Sequence, residues 1–100
     1  MATYTFAPVI TSHSFTTGNL TATVASGNPV DVYGIHIFNN SGGALTYTVK
    51  DGDGNTIWVF NVATLGHESV ECPFKAGNGL QITASGATGY VVVFHTNPGL

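Results

Sequence analysis

A chain of 100 residues, 43% of them apolar, is long enough to form one domain with its own core and too apolar to be intrinsically disordered. Only 7% of the residues are charged, and with two basic residues and a net charge of −3 there is no basic patch for nucleic acid or anionic membranes. So few charges predict a surface that is largely covered by copies of the chain or by a larger assembly, although hydroxyls and amides can also keep a neutral domain soluble.

The first 24 residues predict short extended segments. Residues 3–6 alternate threonine with aromatic residues and stop before Pro8, so we expect residues 1–8 to form a short strand or an extended N-terminal arm. Tyr4 and Phe6 either fasten this arm to the domain or reach a neighbouring subunit. The N-terminus has neither the positive charge nor the apolar run of a signal peptide, so synthesis in the cytosol without export is expected. Two further strands are predicted at residues 9–15 and 20–24.

Residues 30–62 are the stretch around which the chain is organised, and they predict a β-meander. The middle strand alternates cleanly, with Leu45, Tyr47 and Val49 on one face, as expected of a strand with one buried and one wet face. Turn-forming residues, including the Asp-Gly-Asp-Gly-Asn run at 51–55, separate the strands. The three strands are predicted at residues 30–38, 44–50 and 56–62.

Four apolar residues on the third of these strands divide between its two faces. Trp58 and Phe60 share one face, and Ile57 and Val59 share the other. One pair is expected to pack against the second sheet and the other to form a subunit contact, and the sequence leaves open which. Trp58 and Phe60 are the two that we name as candidate contacts.

The remaining sequence predicts three more strands, at residues 68–72, 80–84 and 90–96. Glu68 and Glu71 indicate an edge strand exposed to water. Residues 91–94 are a continuous apolar run, which is expected to be covered on both faces, inside a sandwich or at a subunit contact. Cys72, the only cysteine, cannot form an intramolecular disulfide and is expected to be a half-buried structural thiol. Apolar residues nowhere persist with a helical period, so no long helix is predicted.

About eight short strands at near-regular spacing predict an all-β fold. We expect one domain, residues 1–100, folded as an antiparallel two-sheet β-sandwich that is jelly-roll-like. An immunoglobulin-like sandwich is the alternative, although the Cys–Trp–Cys signature of immunoglobulin domains is absent.

The acidic run at 51–55 invites comparison with a calcium-binding loop. Asp51, Asp53 and Asn55 fall at the first three ligand positions of an EF-hand, but Thr56 stands where glycine is needed and Val62 where the bidentate glutamate should be. A structural hairpin turn is therefore favoured over a calcium site.

The histidines and the remaining polar residues indicate no catalytic site. The histidines show none of the spacings of metal-binding motifs, and His36 and His95, which interrupt apolar strands, are expected to be hydrogen-bonded core or interface residues. The chain also lacks a G-x-S-x-G elbow and a phosphate-binding loop, and it has few titratable groups for a catalytic pocket. No metal, no cofactor and no enzymatic activity are predicted. The four histidines are His13, His36, His67 and His95.

Aromatic residues on the predicted strands offer the strongest alternative function. A platform of exposed rings can stack on a sugar, although aromatic residues on strands more often fill a core. The candidate rings are Trp58, Tyr33, Tyr47 and Tyr90.

Several strand-and-turn motifs, spread over nearly the whole chain, carry a resemblance to a known family. They are Val32-Tyr33-Gly34-Ile35, Asn39-Asn40-Ser41, Asp51-Gly52-Asp53-Gly54-Asn55-Thr56-Ile57, Pro73-Phe74, Gly79-Leu80-Gln81-Ile82-Thr83 and Val91-Val92-Val93-Phe94-His95. In these motifs the chain resembles small all-β structural proteins of tailed bacteriophages, and above all the capsid decoration, or cement, proteins.

This resemblance implies a virion protein that binds the outside of an icosahedral head and stabilises the capsid lattice without catalysis. Its partners would be itself, as a homotrimer, and the major capsid protein, with assembly in the host cytoplasm. Possible subunit or capsid contacts are Tyr4, Phe6, Trp58 and Phe60. The alternatives are a glycan-binding β-sandwich module of a phage fibre, tail or lectin, and a baseplate or tail component of the same sandwich type.

Overall fold

The computed structural model describes residues 9–71 and 73–96, which form nine β-strands and no helix. The strands are β1 (Val9–Phe15), β2 (Thr21–Val24), β3 (Val30–Asn39), β4 (Leu45–Asp51), β5 (Thr56–Val62), β6 (His67–Val70), β7 (Phe74–Ala76), β8 (Leu80–Ala84) and β9 (Gly89–His95). Within these two ranges there is accordingly no helix long and apolar enough to cross a membrane. The predicted N-terminal arm, residues 1–8, and Cys72 lie outside the described residues.

Two antiparallel sheets pack face to face as a β-sandwich. Sheet 1 has the strand order β1-β9-β3-β6, with β7 also paired to β3, and sheet 2 has the order β2-β8-β4-β5. β6 and β7 pair with successive parts of the same edge of β3, so they act as one interrupted strand. Eight strands counted in this way are divided equally between the two sheets, in the order of a jelly roll. The predicted jelly-roll-like sandwich is confirmed, and the strand order is not that of the immunoglobulin-like alternative.

The core is filled by the inward-facing side chains of both sheets. Burial alternates with a period of two along β8 and β9, as expected of strands with one face against a second sheet. Phe15 of β1 and Tyr47 of β4 are the largest fully buried residues, and their ring centroids lie 5.4 Å apart across the sandwich. Each fully buried aliphatic or aromatic side chain contributes about 1.5–3 kcal/mol, so these positions fix the register of the strands.

The apolar run at 91–94 lies on β9, in the interior of sheet 1. Val91 and Val93 are buried in the core, whereas Val92 is half-buried and Phe94 is exposed on the outer face. The sandwich therefore covers only one face of this run. Cover of the other face by a second subunit stays a prediction.

One of the two strands that pair along the outer edge of β3 was not predicted from the sequence. The strand expected at residues 68–72 is β6, His67–Val70, and it is an edge strand, as Glu68 indicated. Residues 74–76, expected to be a break followed by a loop, instead form β7 because Phe74 and Lys75 pair with the start of β3. An isolated three-residue strand has no periodicity to detect, so only tertiary pairing identifies it.

Asn39, at the end of β3, ties the two sheets together. Its Nδ2 donates hydrogen bonds of 2.9 Å to the carbonyls of Gly43 and of Val62, which ends β5 in the other sheet. Its Oδ1 accepts a hydrogen bond of 2.9 Å from the backbone N–H of Ser41. Asn39 is completely buried, and its bond to the Val62 carbonyl is a buried one, whereas the Gly43 carbonyl also accepts from Oγ of Ser41.

We expect Asn39→Ala to lower the free energy of unfolding by about 2–3 kcal/mol, because the substitution leaves the carbonyl of Val62 buried without this hydrogen bond. Urea denaturation followed by tryptophan fluorescence measures the change. Asn40→Ala, at the exposed neighbouring position, is the control and should stay within about 0.5 kcal/mol of the parent. Equal stability of the two variants would show that the Asn39 amide does not hold the sheets together.

Candidate functional site

The outer face of sheet 1 carries apolar side chains along the middle of the sheet. On β9, Tyr90, Val92 and Phe94 alternate with the core residues and face outward. The strand register places residues of β1 and β3 on either side of each. Across the sheet the rows are Ile10–Phe94–Gly34, Ser12–Val92–His36 and Ser14–Tyr90–Phe38.

Gly34 leaves space for a groove in this face. A Cβ at this position would lie 3.3 Å from the carbonyl oxygen of Val70 and 3.7 Å from the ring of Phe94, so any side chain here would enter the groove. A register shift between Val32 and Gly34 makes Tyr33 the extra residue of a β-bulge, which places it at the groove. The groove has a volume of about 560 Å³ and is lined by Tyr33, Gly34, Ile35, His36, Ser69, Val70, Glu71, Tyr90, Val92 and Phe94.

The groove and its surroundings are exposed and mainly apolar. Tyr90 is 39% exposed, Phe94 36%, and Ile10, beside Phe94 on β1, 59%. The polar side chains of the lining are concentrated on one side, next to β6. Concave apolar surfaces with a few polar groups are typical of binding sites.

His36 is the centre of a polar cluster on the β6 side of the groove. Its Nδ1 lies 2.7 Å from Oγ of Ser69, the residue directly opposite on β6, and its Nε2 lies 3.2 Å from Nδ1 of His67. The centroids of the two imidazole rings are 5.2 Å apart. The ring of Phe38 lies between those of His67 and Tyr90, with centroids 4.6 and 5.4 Å away. We name Ser69, His36 and His67 the histidine cluster.

The histidine cluster has the groups for two kinds of chemistry. A hydroxyl beside an imidazole is the beginning of nucleophilic catalysis, which also needs donors aimed at a developing oxyanion. The groove beside Ser69 is lined mainly by aromatic and aliphatic side chains. Two imidazole nitrogens aimed at each other can instead share a proton or bind one metal ion. In the part of the chain that the structure describes, no three His, Cys, Asp or Glu residues are grouped to hold a metal ion.

The other two histidines have different surroundings. His95 is only 3% exposed, with Nδ1 2.6 Å from the carbonyl oxygen of Thr96 and Nε2 2.8 Å from Oγ1 of Thr11. A carbonyl only accepts, so Nδ1 carries a proton, and Nε2 of the neutral ring accepts from the Thr11 hydroxyl. The predicted hydrogen-bonded core histidine is confirmed at His95. His13 is half-buried, and its Nε2 lies 3.3 Å from the carbonyl oxygen of Asn19.

The acidic run at 51–55 forms a hairpin turn around one carboxylate. Oδ1 of Asp51 accepts hydrogen bonds from the backbone N–H groups of Asn55, at 2.9 Å, and Asp53, at 3.0 Å, and Oδ2 accepts from Nδ2 of Asn55 at 3.1 Å. These bonds, above all the one from the backbone N–H of Asn55, hold the pKa of Asp51 below its usual range. The structural hairpin that the sequence favoured is confirmed.

The two aromatic residues predicted as contacts on β5 lie in different environments. Phe60 is 5% exposed and belongs to the core, opposite Tyr47 on β4. Trp58 is 51% exposed, although the centroids of the two rings are only 6.3 Å apart. Phe60 is thus a core residue in this fold, and a contact of Trp58 with another chain stays a prediction. Tyr4 and Phe6 lie outside the described residues.

An irregularity in β5 explains why Ile57 and Val59, predicted to share a face, do not behave as a unit. Val49 pairs with Trp58, but the next residue, Lys50, pairs with Thr56, so Ile57 is left as the extra residue. Ile57 packs partly against the core, whereas Val59 is 47% exposed. No periodic pattern marks such a shift, and the strict alternation assumed from the sequence was wrong at this point.

The structure divides the aromatic rings proposed as a sugar-binding platform. Tyr33 and Tyr90 both line the groove. Tyr47 is buried in the core, and this burial raises the pKa of its hydroxyl. Trp58 lies on sheet 2. A platform of all four rings was therefore wrong, and two of them share a site.

The groove and the histidine cluster were not predicted from the sequence. His36 and His67 are 31 residues apart, and only the pairing of β3 with β6 brings them together. One signal was present for the groove, because a glycine inside an otherwise aromatic and β-branched strand marks a bulge or a close approach. Gly34 lies next to the bulge, and the backbone of Val70 approaches it closely.

Comparisons with known proteins give a limited result. No family model and no curated protein sequence matches the chain. Among solved structures it is similar to the VP2 subviral particle of infectious bursal disease virus, at 14% identity and a TM-score of 0.35, over 87% of this chain and 32% of that one. A structure of the Gx strain of the same virus is 14% identical with a TM-score of 0.23, over 88% of this chain and 30% of that one. This chain thus spans about a third of the length of these proteins, and at these TM-scores the likeness assigns it no function.

We expect Asp51→Asn to lower the urea midpoint at neutral pH and to have no effect in strong acid. Asparagine keeps an acceptor oxygen but loses the charge that strengthens the hydrogen bonds of the turn. Because the folded-state pKa of Asp51 is lowered, the charge stabilises the fold above the ordinary aspartate pKa of about 3.9, and this stabilisation is lost as the pH falls through the folded-state value. Urea unfolding of both proteins across this range measures the difference. A difference that does not change with pH would contradict the assigned role of the charge.

Proposed function

We propose that this chain is a non-catalytic virion structural protein that binds the outer surface of an icosahedral phage head as a homotrimer and stabilises the capsid lattice. One observation carries the proposal. Apolar surface with almost no charge is exposed at two places. These are the groove on sheet 1 and the edge strand β5 on sheet 2. We assign the groove to the major capsid protein and β5 to a neighbouring copy.

β5 is an edge strand without the charges that usually protect an edge. It lies at the end of sheet 2, beside β4, and its seven residues, TIWVFNV, include the exposed Trp58 and Val59 but no charged side chain. Edge strands normally carry charges or prolines, because a bare edge pairs with other chains. The edge strand β6 of sheet 1 follows that rule with Glu68. Of these two edges, β5 is thus the one better suited to association with a second copy.

The groove has the composition of a protein-binding surface. Exposed aromatic residues, Tyr90 and Phe94, stand beside a polar side formed by His36, Ser69 and Glu71. Interfaces between proteins are likewise built around aromatic anchors, with polar groups at the rim and few charges in the centre. Docking of such a surface desolvates few charges, so little of the gain from apolar burial is lost.

A trimer makes modest contacts sufficient for capsid binding. Each copy contributes one groove, and once one copy is bound the other two bind at a high effective concentration. A protein that binds only the assembled shell stabilises that shell by mass action, with no chemical step. This mechanism needs a rigid scaffold and exposed contact surfaces, which a small β-sandwich provides.

Two valine substitutions on different faces separate the proposed contacts. Native mass spectrometry is expected to find a trimer for the parent and a monomer for Val59→Lys, because the new charge lies on the edge strand between copies. Val92→Lys places the same charge in the groove, so it should remain a trimer but no longer co-sediment with heads assembled without the protein. Circular dichroism checks that each variant is folded. A monomeric parent at micromolar concentration, or loss of the trimer in Val92→Lys alone, would contradict the assignment.

A glycan-binding module is the second candidate, and the groove favours it too. The rings of Tyr33 and Tyr90 share this concave surface with hydrogen-bonding side chains, an arrangement that suits a sugar ring. If this function holds, a glycan array should show specific binding that Tyr90→Ala abolishes and that Trp58→Ala, on the other sheet, leaves unchanged. For the capsid-binding function we expect no specific glycan signal from any of the three proteins.

A further inference from the structure

We propose that His36 and His67 form a two-ligand binding site for a transition-metal ion, Zn²⁺ in the first instance, on the outer face of sheet 1. The site shares His36 with the lining of the groove but does not depend on the function proposed above. It is formed by residues on two paired strands, β3 and β6, and its nitrogen atoms already face each other.

The distance between the two nitrogens fits one shared ion. Nε2 of His36 and Nδ1 of His67 are 3.2 Å apart. Two nitrogens bound to one Zn²⁺ at about 2.0–2.1 Å, with a tetrahedral angle between them, are roughly 3.3–3.4 Å apart. In the present hydrogen bond Nδ1 of His67 carries the hydrogen, because Nε2 of His36 accepts. Transfer of this proton through solvent to Nε2 of His67, with a tilt of the two rings, converts the hydrogen bond into a chelate without moving the strands.

Ser69 is placed to orient His36 as a ligand. Its Oγ lies 2.7 Å from Nδ1 of His36, on the opposite side of the ring from Nε2. When Nδ1–H donates to this hydroxyl, the lone pair is on Nε2, the nitrogen that faces His67. Metal-binding histidines usually have such a hydrogen bond on the other ring nitrogen, since it fixes both tautomer and ring orientation. Ser69 is thus a positioning residue rather than a ligand.

The surroundings leave the ion accessible but incompletely coordinated. The hydrogen bonds of the histidine cluster are exposed, so an ion can enter from solvent. Phe38 packs against His67 with ring centroids 4.6 Å apart and limits the orientations of that imidazole. Two imidazole ligands suit Zn²⁺, Cu²⁺ or Ni²⁺ rather than Ca²⁺ or Mg²⁺, which prefer oxygen. Water fills the remaining positions, so the affinity is expected to be modest.

Calorimetric titration of the untagged protein with ZnCl₂ tests the site. We expect one ion per chain and at least tenfold weaker binding in His36→Ala and in His67→Ala, because each removes one of two ligands. His13→Ala is the matched control, since His13 lies on β1 with a different partner, and its affinity should equal that of the parent. His67 is exposed on an edge strand, so His67→Ala tests the site even if His36→Ala fails to fold.

NMR of the imidazole nitrogens identifies the ligands directly. Zn²⁺ should shift Nε2 of His36 and Nδ1 of His67 and leave His13 and His95 unchanged. Ser69→Ala should weaken binding about tenfold and alter the Nδ1 signal of His36, and Ser69→Thr should restore both, which a purely structural role would not explain. A parent Kd weaker than about 1 mM, or equal affinity in the parent and in both histidine variants, would overturn the proposal.

Discussion

The pairing of β9 between β1 and β3 is the constraint on which the rest of the structure depends. Side chains on a strand alternate between faces, so the burial of Val91 and Val93 forces Val92 and Phe94 to face outward. A slip of one residue would exchange the two sets and expose two core valines, each worth about 1.5–3 kcal/mol. The register is therefore fixed from the inside of the sandwich. The apolar outer face is a consequence of the register that the core imposes.

Irregularities in the pairing of the strands lie next to both exposed apolar surfaces of the molecule. The bulge at Tyr33 interrupts the pairing of β3 with β9 next to Gly34, and the groove opens at this point. On sheet 2, the shift lies at Ile57, next to Trp58, which is half exposed although it pairs with the buried Val49. Both sites lie where a strand departs from ideal alternation, as is common where proteins re-aim a side chain for binding.

The sequence predicted the parts of the structure that follow from local patterns. Alternation identified the middle strand of the meander, with Tyr47 and Val49 buried, and the turn at 51–55 was recognised from its own residue types. The histidine cluster could not be predicted, because no local pattern encodes the pairing of β3 with β6. Phe60 and Trp58 were grouped together because they share a face of β5, but alternation alone does not show how deeply each position on that face is buried.

The exposed apolar residues require an explanation outside the folding of a single chain. Tyr90, Phe94, Trp58 and Val59 keep between 36% and 51% of their surface in contact with water after folding, so they gain only part of the free energy that fully buried residues gain. An interface of standard size buries roughly 800 Å² on each partner. The chain has 5667 Å² of accessible surface, so two such interfaces would cover a little over a quarter of it. With only 7% charged residues, a domain of this kind can bury that share without desolvating many charges. Low charge is thus a cost for an isolated domain in solution and an advantage for one that is covered on two sides.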